Sequence, residues 1–260
     1  MSQRKFAIVT GASSGIGLEI AKLAAQDGYD LLVAADTPFV DAAAGLKDLG
    51  VEVDQVECDL ATDQGVRQLL DAAGGREVDV LVANAGHGLG GGFLDQDPTE
   101  WRHVIDTNIT GTLLLLQPVL KSMVARGDGK VLITGSIAGH LAGSFQAVYN
   151  GTKAFVDSFV AAIQNEIKDA DGVTITNLMP GPVETEFFHR ADMDDTSVGA
   201  GKKSDPADVA KDGWDALMSG KASVFSGLAT KVQGVLANVT PNAVLAERHR
   251  QMAEPGTAKE

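Results

Sequence analysis

Phe6-Ala7-Ile8-Val9-Thr10-Gly11-Ala12-Ser13-Ser14-Gly15-Ile16-Gly17 joins an apolar, strand-length run to a glycine turn and a helix start. Gly11 suits a tight turn with unusual backbone angles, Gly15 lets the backbone approach an anion, and Gly17 lets the following helix pack near the sheet. The free N–H groups and positive dipole end of that helix favour bound phosphate, so the stretch fits a diphosphate cradle. In a chain with 30 Gly it also fits an ordinary tight βα turn, and the remaining sequence must decide.

Short runs rich in Val, Ile and Leu recur between longer helical patterns. They lie at 5–10, 30–35, 51–57, 78–84, 130–135 and 173–179, and more weakly at 223–226. This alternation predicts βαβ units with right-handed crossovers: an α/β chain forming a single-domain, Rossmann-type doubly wound parallel sheet of about seven strands with helices on both faces. Asp97-Pro98-Thr99-Glu100 marks a helix start by cap, Pro and Glu, and Asp205-Pro206 and Thr240-Pro241 repeat the cap-then-Pro signal. A helical period runs from Trp101 to Met123, with Pro118 expected to bend it. One domain over 1–260 is expected, with a core at about 5–228 and an extension at about 229–260 whose end, from Ala253 on, lacks apolar residues suited to packing and reads as frayed.

A formal net charge of −14 and the lack of a Lys/Arg-rich run argue against nucleic acid or an anionic membrane as partner. The apolar stretch from Leu113 to Leu120 is far short of the roughly 20 residues that span a bilayer. Cys58 is the single cysteine, and the N-terminus enters the first strand without an apolar signal region, so a cytoplasmic protein is expected. The five His and one Cys show no metal-ligand spacing.

In such a sheet, ligands bind beyond the carboxyl ends of the strands, where strand order reverses. Strand-end residues therefore carry the functional information, among them Asp36, Asp59, Asn84-Ala85-Gly86, Ser136 and Pro180-Gly181. In Tyr149-Asn150-Gly151-Thr152-Lys153, Tyr149 and Lys153 share one helix face, a turn apart. A free phenol has a pKa of about 10, and acid–base work near neutrality asks for a shift of about 3 units, roughly 4 kcal/mol, of which a nearby ammonium in a poorly solvated pocket can supply much. Alone, the pair also fits an exposed helix surface. Ser136 ends a strand 13 residues earlier and can offer a hydroxyl to the same substrate oxygen.

With Ser136, Tyr149 and Lys153 in order behind the glycine turn, the chain resembles the short-chain dehydrogenase/reductase family from Phe6 to about Phe225. The resemblance implies an NAD(P)-dependent oxidoreductase that interconverts a secondary alcohol and a ketone. It gives Tyr149 the role of general acid/base, Ser136 that of orienting the substrate oxygen, Lys153 that of lowering the Tyr149 pKa and holding ribose, and Asn108 that of helping a water relay protons. It further implies coenzyme contacts from Gly11, Ser13, Ser14, Gly15, Ile16, Gly17, Asp36, Asp59 and Leu60, then Asn84, Ala85 and Gly86, then Pro180, Gly181, Val183 and Thr185. Ala35 falls where many NAD users carry Asp; Asp36 falls one place later, where NADP users often carry Arg or Lys, and Ser14 also lacks positive charge. An acid near the ribose repels the extra phosphate, so NAD is favoured and NADP stays open, while Asp36 as a simple turn cap is the plain reading.

The resemblance also places a mobile substrate lid at 186–205, where Phe187 and Phe188 either line the pocket or anchor the loop. His87, His140 and His189 follow segments near the expected pocket and read equally as loop residues. Gly88 to Gly92 reads as pocket lining or as a plain turn. The helix after Pro241 either covers the pocket or meets another subunit. A small carbonyl or alcohol substrate is implied, with no nucleic acid and no membrane, and a homodimer or homotetramer built on central helices around 101–126 and 149–168. Two other functions share the fold: a coenzyme-binding regulator, and an epimerase or dehydratase that uses NAD transiently.

Overall fold

The computed structural model describes residues 4–39 and 42–258. Its first half runs β1 (Phe6–Thr10), α1 (Gly15–Gln26), β2 (Asp30–Ala35), α2 (Ala42–Lys47), β3 (Val53–Glu57), α3 (Asp63–Ala72), β4 (Val80–Ala83), α4 (Pro98–Ile105) and α5 (Thr112–Arg126). Then come β5 (Gly129–Thr134), α6 (Ala147–Glu166), β6 (Val173–Met179), α7 (Phe187–Arg190), α8 (Ser197–Ala200), α9 (Pro206–Met218), β7 (Ser223–Phe225), α10 (Leu228–Ala237) and α11 (Asn242–Ala253). The seven strands form one sheet in the order β3-β2-β1-β4-β5-β6-β7. Every pairing is parallel.

β1, β2 and β4 are buried along their whole length, which is why they read as unbroken apolar runs. Side-chain alternation along β1 feeds two cores. Phe6 and Ile8 meet Leu69, Leu115, Met123 and Val160 on one face, and Ala7 and Val9 meet Ile20, Val209, Trp214 and Leu217 on the other. α1 and α9 therefore cover one side, and α3, α5 and α6 the other, leaving the strand ends free at the switch between β1 and β4.

Two of the three cap signals match the helix starts: Asp97 accepts from the Thr99 N–H and Asp205 from the Ala207 N–H. Thr240 does not cap α11. Its hydroxyl instead donates to the Leu236 carbonyl at 2.7 Å, closing α10, and Pro241 takes the cap position without a side-chain acceptor. The long helix expected from Trp101 is interrupted by a π-helical turn at Asp106–Gly111. There Gly111 lies so close to the Leu60 carbonyl that a Cβ would clash with it. Pro118 sits inside α5.

The end of the chain is tied down rather than frayed, as far as residue 258. Gly256 N–H donates to the Asp195 carboxylate and Ala258 N–H to the Asp195 carbonyl, each at 2.8 Å, and the Thr257 hydroxyl accepts from Ser197 N–H at 3.0 Å. Backbone hydrogen bonds hold this tail, which apolar patterning could not reveal. Among the described residues, no helix is long and apolar enough to cross a membrane.

Candidate active site

A cleft of about 450 Å³ opens over the carboxyl ends of β1, β4, β5 and β6. Gly11, at φ +63, turns the chain where a side chain would press on Asn84 Nδ2 at 2.9 Å and Ala85 Cα at 3.0 Å. Gly17 lies beneath the turn, where an added Cβ would clash with the Gly11 carbonyl oxygen. Ser14 caps α1 in extended conformation and makes no side-chain cap bond. The first N–H groups of a 12-residue helix are thus left without a side-chain acceptor beside the cleft, and they and the bare glycine backbone fit a diphosphate.

The cleft wall contains Gly11, Ser13, Ser14, Gly15, Ile16, Asp36, Asp59, Leu60, Asn84, Ala85 and Gly86 together with Ser136, Tyr149, Lys153, Pro180, Gly181, Val183 and Thr185. Gly17 and Asn108 lie outside the wall. The Asn84 amide is committed to the framework: Nδ2 donates to the Thr10 carbonyl at 3.1 Å, and Oδ1 accepts from the Thr134 hydroxyl at 3.1 Å, bridging β1, β4 and β5. Asn108 is buried behind Gly86. Its Oδ1 accepts from His87 N–H at 2.8 Å, and its Nδ2 donates to the His87 carbonyl and the Thr152 hydroxyl, each at 2.9 Å.

Ser136 follows β5, with Oγ accepting from the Ala138 N–H at 3.0 Å. Tyr149 and Lys153 are buried in the first turns of α6; Lys153 Nζ donates to the Thr134 carbonyl at 2.8 Å and lies 5.9 Å from the Tyr149 ring centre. Burial pushes the Tyr149 phenol up to about 12, with Ser136 drawing it partly back and Asp157 pushing it further up. Burial pushes the Lys153 ammonium down to about 8, against the opposing pull of Asp157 one turn along the helix. Two desolvated neighbours thus each drift toward neutrality in the free protein.

Asp36 does more than cap a turn. His87 Nε2 stands 3.0 Å from its carboxylate, and Arg190 from α7 forms an ion pair with the same oxygen. These two partners hold the Asp36 carboxyl well below the usual carboxylate range despite its partial burial. Of the other two His flagged by sequence, His140 turns to Asn238 and Asp157, and exposed His189 pairs with Asp194; neither lines the cleft. Gly88 and Gly90 form a bed for the lid, meeting Phe187 and Met193. Phe187 packs on Tyr149 with ring centres 5.1 Å apart and edge-on against Phe188 at 5.4 Å, which is buried with Ala191 and Met193.

Gln233, His249 and Met252 are cleft residues that a reading of motifs does not find, and the role of Arg190, within the 186–205 segment, is not read from it either. Arg190 lies 154 positions from Asp36, beyond any spacing rule. The other three come from the C-terminal helices, so the helix after Pro241 does reach the pocket. Gln146 also lines the cleft, with a buried Nε2 that has no hydrogen-bond partner among the described residues.

The family profile described as short chain dehydrogenase matches residues 5–196. An uncharacterized oxidoreductase of Staphylococcus saprophyticus is 32% identical over 214 residues, 80% of this chain and 89% of the relative. A short-chain dehydrogenase of Sphingobium yanoikuyae, solved with NADPH, superposes with a TM-score of 0.81 at 25% identity, over 90% of this chain and 93% of that one. A short-chain dehydrogenase/reductase of Burkholderia phymatum, solved with NAD, gives 0.78 at 25% identity, over 89% and 92%. The seven-stranded sheet, the glycine turn at its switch point and these likenesses agree: the chain belongs to the short-chain dehydrogenase/reductase family of oxidoreductases, which act on alcohol and carbonyl groups.

Proposed function

We propose that this protein interconverts a secondary alcohol and a ketone with Tyr149 as general acid/base and with NAD as the preferred coenzyme. The observation that carries the reading is the convergence of Ser136, Tyr149 and Lys153 on one cleft that also holds the open start of α1. A bound nicotinamide supplies or takes up the hydride, chemistry for which no side chain suffices. Gly11 and Ser13 to Ile16 hold its diphosphate, Asp36 its adenosine ribose, Asp59 and Leu60 the adenine side. Asn84 to Gly86 form the floor, and Pro180, Gly181, Val183 and Thr185 hold the carboxamide end. Gly17 supports this turn from below.

Ser136 donates a hydrogen bond to the substrate oxygen, and Tyr149 gives that oxygen a proton in reduction or removes it in oxidation. Lys153 holds ribose hydroxyls and, while charged, favours loss of the phenol proton. Asn108 keeps the loop after β4 in register and leaves a path for protons to solvent. The phenol is protonated at neutral pH, the form that reduction requires. With Lys153 losing its charge near pH 8, kcat/KM for ketone reduction is expected to be flat below that pH and to fall as pH rises through it. A profile that rises through pH 8 in the reducing direction would contradict these roles.

Asp36 supports the NAD preference, since its carboxylate repels a 2′-phosphate. Asp36→Ala removes that repulsion and frees Arg190 beside the ribose site, so the NADH/NADPH ratio of kcat/KM is expected to drop by roughly tenfold or more, like-charge contacts costing up to several kcal/mol. An unchanged ratio would mean that Asp36 does not read the ribose. Leu114 and Val124 on α5 and Phe155 on α6, 40%, 39% and 40% exposed, support pairing of subunits through these helices. The reaction is tested by following reduced-coenzyme absorbance over a panel of ketones and alcohols with NAD(H) and NADP(H), using Tyr149→Phe as the blank. Tyr149-dependent turnover is the expected result. Coenzyme retained through purification with no net change in NADH during turnover would favour the epimerase or dehydratase reading instead.

A further inference from the structure

We infer that the cleft continues into a chamber built by the C-terminal helices, and that this chamber takes the apolar tail of a substrate whose carbonyl meets Tyr149; this rests on the reaction proposed above. A groove of about 820 Å³ lies between α10 and α11. Leu141, Gln233, His249 and Met252 stand both in its wall and in the wall of the cleft, so the two spaces meet at the substrate end. Its volume falls in the range that encloses drug-sized ligands.

Beyond the junction the wall is made largely by Leu228, Val232, Leu236 and Leu245, with Thr240 and Arg248 as its polar members. Leu228 is 78% exposed, Val232 50% and Leu236 54%, so folding leaves a contiguous apolar surface in water; such surfaces mark binding sites. His249, at the junction, is buried, with Nδ1 2.7 Å from the Ser144 carbonyl and Nε2 3.4 Å from Asn150 Nδ2. Burial lowers its pKa, leaving an uncharged ring at the passage. The groove runs along α10, whose 10 residues span about 15 Å, enough for an extended alkyl chain. A flat partner such as a second copy or a lipid surface would instead engage the outer residues Val235 and Val239, which are 60% and 79% exposed and lie outside the groove.

The test uses Nile red bound to the full-length protein and displaced by n-alkanols from butanol to decanol. Apparent affinity is expected to rise about threefold per methylene, near the roughly fourfold limit for full burial of a CH₂. Val232→Asp is expected to flatten the series, and Val235→Asp to leave it intact. In parallel, kcat/KM for 2-alkanones of the same lengths is expected to climb with chain length. No dye binding, a flat alkanol series, equal loss in both variants, or alkanone turnover independent of length each overturns the inference. An alkanol series that climbs while no alkanone turns over with either coenzyme upholds the groove and defeats the proposed reaction instead.

Discussion

Tyr149→Phe is expected to lower turnover by about 10³-fold in either direction while changing coenzyme affinity by less than about threefold. General acid–base catalysis contributes some 10²–10⁴-fold, and this substitution removes only the proton-carrying oxygen. The ring that packs on Phe187 at 5.1 Å stays, so the lid keeps its seat. The glycine turn, Asp36 and the β6 end are untouched, so the proposed coenzyme contacts persist. Removing a buried hydroxyl from a desolvated site also leaves the thermal midpoint unchanged or slightly raised. Steady-state rates, coenzyme titration by fluorescence and a melting curve check the three parts separately. Normal turnover would remove Tyr149 from the mechanism; a collapse of coenzyme binding or of the melting temperature would make its role structural.

What was legible in the sequence follows from how local each cause is. β1, β2 and β4 are covered on both faces, so their residues form unbroken apolar runs that any window detects. Asp97 and Asp205 cap helices through bonds to N–H groups two residues on, and Tyr149 and Lys153 meet through a single helical turn. The Asp36–Arg190 pair joins β2 to the lid across 154 positions, and no pattern along the chain encodes it. The same is true of His249 and Met252 in the cleft wall, and of the tail held by Asp195. The state of Tyr149 shows a different limit. Spacing places an ammonium near the phenol, but the balance between attraction and desolvation depends on burial of both groups, and burial is a property of the assembled fold.

Gly17→Ala is expected to abolish coenzyme binding at accessible concentrations and to lower stability by about 1–3 kcal/mol, the usual scale of overpacking in a tight site. The added Cβ would fall well inside contact distance of the Gly11 carbonyl oxygen and 2.6 Å from Asn84 Nδ2. Neither neighbour can withdraw: Gly11 is held at φ +63 against Ala85, and Asn84 bridges β1 and β5. Relief can come only by moving α1 away from the sheet, which shifts the N–H groups proposed to receive the diphosphate. Gly151→Ala is the matching control, since nothing lies within 4 Å of its Cβ position and it sits within α6. There the change is expected to add about 0.5–1 kcal/mol of stability through helix propensity and to leave coenzyme affinity as it is. Coenzyme titration and chemical denaturation of the two variants side by side decide the point. If Gly17→Ala binds coenzyme as the unmodified protein does, the close packing of α1 beneath the turn is not what shapes the phosphate site.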